Sequence, residues 1–377
     1  KIMSMKTKLH LIIMSFVLLF VAGGQRVCLA AESWSYPSSK PEFPFGGGDG
    51  SKWNPYRIES AQHLANLAYM VTDNNTEYKN KYFILTNDIT LNDDVINADG
   101  TGLKNSESSY KLWTPIGEYG DLYDDDFMGI FDGQGHTIRG MVCIDTTGKR
   151  DYNGLFGTTD QATIMNLNLE DCYVGASSVL IHGHKSGVLS GSATKSSFIN
   201  CHVSNSVVDV NCTYSSSPLF RIAYVGGMIG SCDVFNSEFI VRWTRMTNCS
   251  YYGNVYAKAN GKNACLYVGG LFGRQLTDGH FKLNLTNCHT KGDISIKCIN
   301  QVDELRVGGL TSAYASGESE LKGCVNRMNI TIDSGDNTIK KCLVSGFGEI
   351  RDSFKHKVYQ CANYGNVKIG SATKKAN

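Results

Sequence analysis

Residues Val268 to Cys298 read VGGLFGRQLTDGHFKLNLTNCHTKGDISIKC. A glycine-flanked apolar tetrad is followed by a polar stretch, a lone cysteine after Asn287, and then Gly292-Asp293-Ile294-Ser295-Ile296. Met once, Gly269-Gly270-Leu271-Phe272-Gly273 suggests a phosphate loop, and Cys288 a nucleophile or a metal ligand. The pattern is not met once. Glycine blocks recur at Gly154–Gly157, Gly187–Gly191, Gly226–Gly230 and Gly269–Gly273, and again from Gly308 and around Gly346. Each is followed by a cysteine in polar context: Cys172, Cys201, Cys249, Cys288, Cys324 and Cys361. The last four cysteines lie 39, 36 and 37 residues apart.

A phosphate loop occurs once and leads into a helix that carries the lysine of GxxxxGK[ST]. Here polar or strand-like sequence follows every block, so the blocks read as structural. Gly253-Asn254, Gly292-Asp293 and Gly365-Asn366 each follow a cysteine and predict tight turns. The alternation after them, as in Ile294-Ser295-Ile296 and Val367-Lys368-Ile369, predicts short half-buried strands. Six equivalent cysteines predict an inward stack of reduced thiols behaving as small hydrophobes. Disulfides are the alternative in an exported chain. No CxxC pair points to zinc.

A period near 40 residues built of strands and turns allows a parallel β-helix, a propeller or a leucine-rich solenoid. The propeller lacks a Trp-Asp signature, and the leucine-rich period is shorter. Ser60 stands as an N-cap before Leu64, Leu67, Ala68 and Val71, which predicts one amphipathic helix of about 12 residues. The strand Lys81–Leu91 follows. An open stack needs an end cover, and the helix suits the first rung.

Lys1, Lys6 and Lys8 precede an apolar run from Leu11 to Ala22, and Cys28 and Ala30 mark a small-x-small cut. That layout predicts a secretory signal peptide over 1–30, hence an exported, extracellular or cell-surface protein. No later stretch is apolar and long enough to span a bilayer. The remainder divides into a flexible segment over 31–52, the cap helix and first rungs over 53–150, repeats over 151–370 and a tail over 371–377. The leader holds four of the 36 basic residues and none of the 35 acidic ones. The rest is therefore near neutral, which gives no electrostatic case for nucleic acid.

The run NPYRIESAQHLANLAYMV, YFILTNDITL, WTPIG, FMGIFDGQGHTIRGM and NGLFG, with the later VGGMIG, TNC and GNV, resembles the GLUG-motif family of exported bacterial repeat proteins, often described as adhesin-like. The likeness extends from about Asn54 to Ile369 and is most specific in Phe131–Ile138 and the glycine tetrads. It implies an all-β, right-handed parallel β-helix, and it supplies no catalytic motif. It departs from the tidy pattern at Ser186–Val210 and at Thr311-Ser312.

His182-Gly183-His184 resembles the Gly-His-Gly element of polygalacturonases, but the partner aspartates are missing, and a solvent-facing turn is expected. Asp124, Asp125 and Asp126 form the best local candidate for a Ca²⁺ site, against a solvated acidic loop. Asp132 and His136 fit a turn. Neither HExxH nor GxSxG occurs. Tyr251-Tyr252 suits either an exposed strand or ordinary packing. The expectation is therefore a non-enzymatic, adhesin-like protein with no resident cofactor, binding a glycan or a surface protein. A polysaccharide lyase or glycoside hydrolase, with Ca²⁺ at the acidic run, and a passive stalk are the alternatives.

Overall fold

A computed structural model describes residues 30–117, 125–146, 150–176, 179–180, 183–214, 222–232, 242–260, 264–275, 281–299, 302–312, 318–335, 339–348 and 356–370. Residues 1–29 of the expected leader, the 371–377 tail, Asp124 and His182 lie outside them.

The chain winds as a parallel β-helix, in which the described strands pair in parallel. Three sheets run along it. The first joins Ile222–Gly226, Ala264–Gly269, Val302–Gly308 and Ile339–Ser345, so that Val225, Val268, Val307 and Val344 stack in register. The second is short and holds Phe156–Asp160, Ser190–Thr194, Ile229–Cys232 and Phe272–Gln275. The third, the long sheet, carries Ser197–Tyr214, Ser250–Asn260, His289–Cys298 and Val325–Asp333 among its strands. Successive rungs of such a stack are about 4.8 Å apart, so equivalent residues pile up as ladders. Leu155, Leu189, Met228, Leu271 and Leu310 form one, wholly buried. At about 1.5–3 kcal/mol per buried aliphatic side chain, these ladders are the main source of stability.

The glycine blocks are the corners between the first and second sheets. A Cβ at Gly226, Gly269 or Gly308 would fall on the carbonyl oxygen of Ile229, Phe272 or Thr311 respectively. None of the three glycines has a positive φ. Space, not backbone conformation, demands glycine there.

The cysteines stand just past a different corner. Asn166, Asn200, Asn248 and Asn287 adopt φ of 51°, 53°, 54° and 51°. Asparagine tolerates this left-handed conformation better than most residues. Their amides also join rung to rung: Asn200 Nδ2 donates to Asn166 Oδ1 (3.0 Å), Asn248 to Asn200 (3.2 Å) and Asn287 to Asn248 (3.3 Å). Cys201, Cys249, Cys288, Cys324 and Cys361 follow this corner as one ladder of thiols, none in a disulfide. Cys288 Sγ donates to Met246 O (3.5 Å) in the preceding rung and to Thr286 O (3.4 Å) in its own, and Cys249 and Cys324 repeat the arrangement. A small side chain with a weak donor suits a corner that leaves such carbonyls inside. Burial pushes the Cys201 and Cys288 thiols well above the usual range.

Cys172 does not belong to this ladder, contrary to its place in the sequence repeat. Leu167 faces Cys201, and Cys172 follows a second left-handed corner at Asp171 (φ 58°), with Ser206 as its counterpart. The glycine turns also need correction. Gly253 and Gly292 lie inside the continuous strands Ser250–Asn260 and His289–Cys298. They bend the strand across an edge of the helix, and of the two only Gly292 (φ 136°) is left-handed.

The α-helix Ala61–Tyr78 (α1) is longer than expected. Ser60 Oγ accepts from His63 N–H (3.3 Å), and a Glu32 carboxylate oxygen accepts from Ala61 N–H (2.7 Å). Leu64, Leu67, Ala68 and Val71 are buried in the same core as the rungs. The 31–52 stretch, expected to be flexible, is packed: Trp34 and Phe45 are buried, and Phe45 sits against Tyr56, Tyr78 and Phe83. It lacks periodic structure, but its two large apolar side chains anchor it.

Candidate functional site

Two of the sheets present an outward column of aromatic and cationic side chains, and the columns differ in whether they are already satisfied. On the outer face of the first sheet, Tyr152, Lys185, Tyr224, Tyr267 and Arg306 succeed one another in register. All five are buried. Lys185 Nζ donates to Tyr152 Oη (3.0 Å) and lies 4.3 Å from the ring centre. Arg306 is paired with Glu304, which also binds Lys341. Burial alone would raise the Glu304 carboxyl, but bonds from Lys341, Tyr267 and Arg306 draw it down to about 2. Such cations have little left to offer a ligand.

The long sheet is different. Ser204, Tyr252, Lys291 and Arg327 are aligned across four rungs, and Tyr364 continues the column beside Arg327, whose guanidinium is 5.1 Å from the Tyr364 ring centre. Tyr252 is 44% exposed, while its neighbour Tyr251 is wholly buried with its hydroxyl bonded to Asn254 O (2.8 Å). The two readings of the Tyr-Tyr pair thus divide between adjacent residues, as the alternation of a strand requires. Lys291 and Arg327 are exposed, and neither forms an ion pair with a described residue.

Two depressions meet at Tyr252. One, of about 560 Å³, is walled by Ile96 and Gly100 from the 92–110 loop and floored by Gly253, Gly292, Lys291 and Arg327. The other, of about 420 Å³, lies between His202, Asn248, Asn287 and His289. Together they form an open groove across the rungs. Its loop wall is fixed: the Asp171 carboxylate accepts from Val95 N–H (2.8 Å) and Ile96 N–H (2.9 Å), and Asn254 Nδ2 donates to Gly100 O (2.7 Å). Val95 and Ile96 bury themselves against Val142, Tyr173 and Val207 on the outside of the sheet. A Cβ at Gly253 or Gly292 would fall on the carbonyl oxygen of Ser206 or Gly253 in the preceding rung, so the floor stacks this closely only with glycine there.

The residues singled out in sequence lie elsewhere. His184 is not on a solvent-facing turn. It is 1% exposed, with Nε2 2.7 Å from Ser186 Oγ and 3.3 Å from Asn153 Nδ2, because the strand turns Lys185 outward and His184 inward, level with the core residue Ala223 of the next rung. Asp132 accepts from Gln134 N–H and from Asn166 Nδ2, closing the turn and starting the asparagine ladder. Of the acidic run, Asp125 and Asp126 are described, and burial raises the Asp126 carboxyl to about 6 against a bond to Thr158. Among the described residues no group of three or more His, Cys, Asp or Glu side chains is gathered for a metal ion. No helix among them is long and apolar enough to cross a membrane. Lys291 and Arg327 were not singled out in sequence, because only the register places them side by side.

No family model matches the chain. A provisionally named Gly-rich membrane protein of Evansella cellulosilytica is 31% identical over 131 residues, which cover 34% of this chain and 12% of that one. Halomucin of Haloquadratum walsbyi is 34% identical over 147 residues, 38% of this chain and 1% of its own length. The chain thus matches only small parts of much longer proteins. Among solved structures, a Bacteroides ovatus protein described as a candidate immunoglobulin A1 protease superposes with a TM-score of 0.54 at 18% identity, covering 92% of this chain and 86% of that one. The β-helical fold is shared. This match corrects the expectation that the chain is not an enzyme, since a protein of the same architecture bears a protease name. On a solenoid, cooperating side chains come from rungs some 40 residues apart, so a missing contiguous motif does not assign a chain to the non-enzymes.

Proposed function

We propose that this chain is an exported, cell-surface recognition module of the GLUG-repeat type, which holds an extended glycan or matrix ligand in the Tyr252 groove of the long sheet. The observation that carries this reading is the contrast between the two outward columns. One is buried, with its cations held in bonds and ion pairs of its own; the other is exposed in a groove, with its cations in no ion pair with a described residue. Extended concave faces are where stacked repeats commonly bind. The leader-like segment and the Gly-rich membrane relative support a surface location.

The test is retention of neutral glycans, acidic glycans, a matrix protein and immunoglobulin A1 on the immobilised protein, with each eluate also examined for fragments. Substituting Tyr252→Ala is expected to weaken retention about tenfold, the size of a lost aromatic anchor. Equal retention by wild type and variant would remove the groove from the account. Fragments of immunoglobulin A1 would favour a second reading, raised by the protease name of the structural match, in which the groove presents a protein chain for cleavage.

A further inference from the structure

We infer that the groove is selective for a polyanionic glycan, laid across the rungs with its carboxylate or sulfate groups on Lys291 and Arg327. This rests on the groove being the binding site. Lys291 and Arg327 are direct register neighbours on adjacent strands, so two like charges face each other at about one rung spacing. Like charges directly opposite destabilise a sheet, and no described acid compensates either one. The nearest acid along the strand, Asp293, lies past the bend at Gly292, where it accepts from Asn329 Nδ2 (3.1 Å). A local rule broken without internal compensation is expected at a functional site. An anion bridging both cations would relieve the repulsion.

Tyr252 and Tyr364 flank the cations in the same column, and His202 and His289 lie beside them in the next. Aromatic faces interleaved with hydrogen-bonding cations suit sugar rings that carry acidic groups. A nucleic acid would demand a longer basic footprint, and the near-neutral chain has no wider field to steer one.

The test uses polygalacturonate for carboxylate, chondroitin sulfate for sulfate, dextran as the neutral polymer and duplex DNA, each passed over wild type, Tyr252→Ala and the Lys291→Gln/Arg327→Gln double variant. Both cations are exposed and mutually repulsive, so the double variant should melt no lower than wild type. At least one acidic glycan should be retained at about 50 mM salt, and its retention should fall about tenfold or more at about 500 mM, where exposed charges are screened. The double variant should show a similar loss at low salt. Which acidic polymer is held distinguishes carboxylate from sulfate recognition. Undiminished retention of acidic polymers by the double variant would overturn the inference, as would DNA retained above both glycans. Dextran retained through Tyr252 alone would overturn it while leaving the groove standing. Retention of nothing would overturn both.

Discussion

Replacing Gly269 by alanine is expected to destabilise the protein by about 3 kcal/mol, the upper end of the usual cost of overpacking. The new Cβ would fall on the Phe272 carbonyl oxygen, with the Thr311 Cα 2.9 Å away on the next rung. Both are backbone atoms. The corner is also pinned on its far side, where Phe272 N–H donates to Leu310 O (3.0 Å). Relief therefore requires rungs to separate. In a stack where each repeat is stable largely through its neighbours, the interfaces on both sides of the corner are weakened together. The matched control is Gly102→Ala, because nothing lies within 4 Å of a Cβ there. Its effect should stay within about 0.5 kcal/mol, as for a surface change away from special features. Urea unfolding of the two variants beside wild type measures the difference. Equal midpoints for Gly269→Ala and Gly102→Ala would mean that the corners are not packed as described.

The second large effect is on acid stability. Burial, opposed by the Asp145 carboxylate and a bond with the Arg150 backbone and aided by the charges of Arg150 and Lys185, lowers the His184 imidazole to about 4. An unfolded histidine titrates near 6.5. As pH falls below about 6.5, the unfolded chain takes up a proton that the folded chain refuses. The full contribution is thus present above about pH 6.5 and is lost progressively down to about pH 4, to a total of about 3 kcal/mol. Asp126 acts in the opposite sense. Its carboxyl is raised to about 6, so the folded chain takes up that proton first and gains relative stability as pH drops through 6. The readout is accordingly the difference in slope between wild type and His184→Gln, which keeps a polar side chain near Ser186 and Asn153. Melting temperatures followed from about pH 7.5 to pH 4.5 should fall more steeply for wild type. Parallel curves would show that His184 is not held neutral by its surroundings.

Much of the fold was legible because a solenoid repeats its requirements. The glycine of each corner, the alternation of each strand and the apolar stripe of α1 are imposed again at every rung, and they show in the chain as a period. What was misread follows from the same geometry. Cys172 and Cys201 are both inward thiols after a left-handed residue, yet they turn different corners, and a local pattern that looks the same at both corners cannot tell them apart. The flexible reading of 31–52 failed because Trp34 and Phe45 anchor by burial, without periodicity. His184 points inward because its strand pairs with that of Ala223, a neighbour 39 residues on that no local pattern reveals. The site itself was the least visible part. Asn200, Asn248 and Asn287 stood beside the cysteines in plain view, and their left-handed backbone could have been expected from residue type. Lys291 and Arg327 could not have been paired without the register, since 36 residues and loops of unequal length separate them.

A ligand lying across the rungs at Tyr252 is tested most directly by amide hydrogen exchange with and without a retained acidic glycan. Bound ligand should slow exchange in the strands at 250–254, 289–292 and 325–329, which share the groove, and leave 264–269 and 302–308 of the first sheet unchanged. Slowing confined to the first sheet, or to α1 and its surroundings, would place the ligand elsewhere and contradict the account.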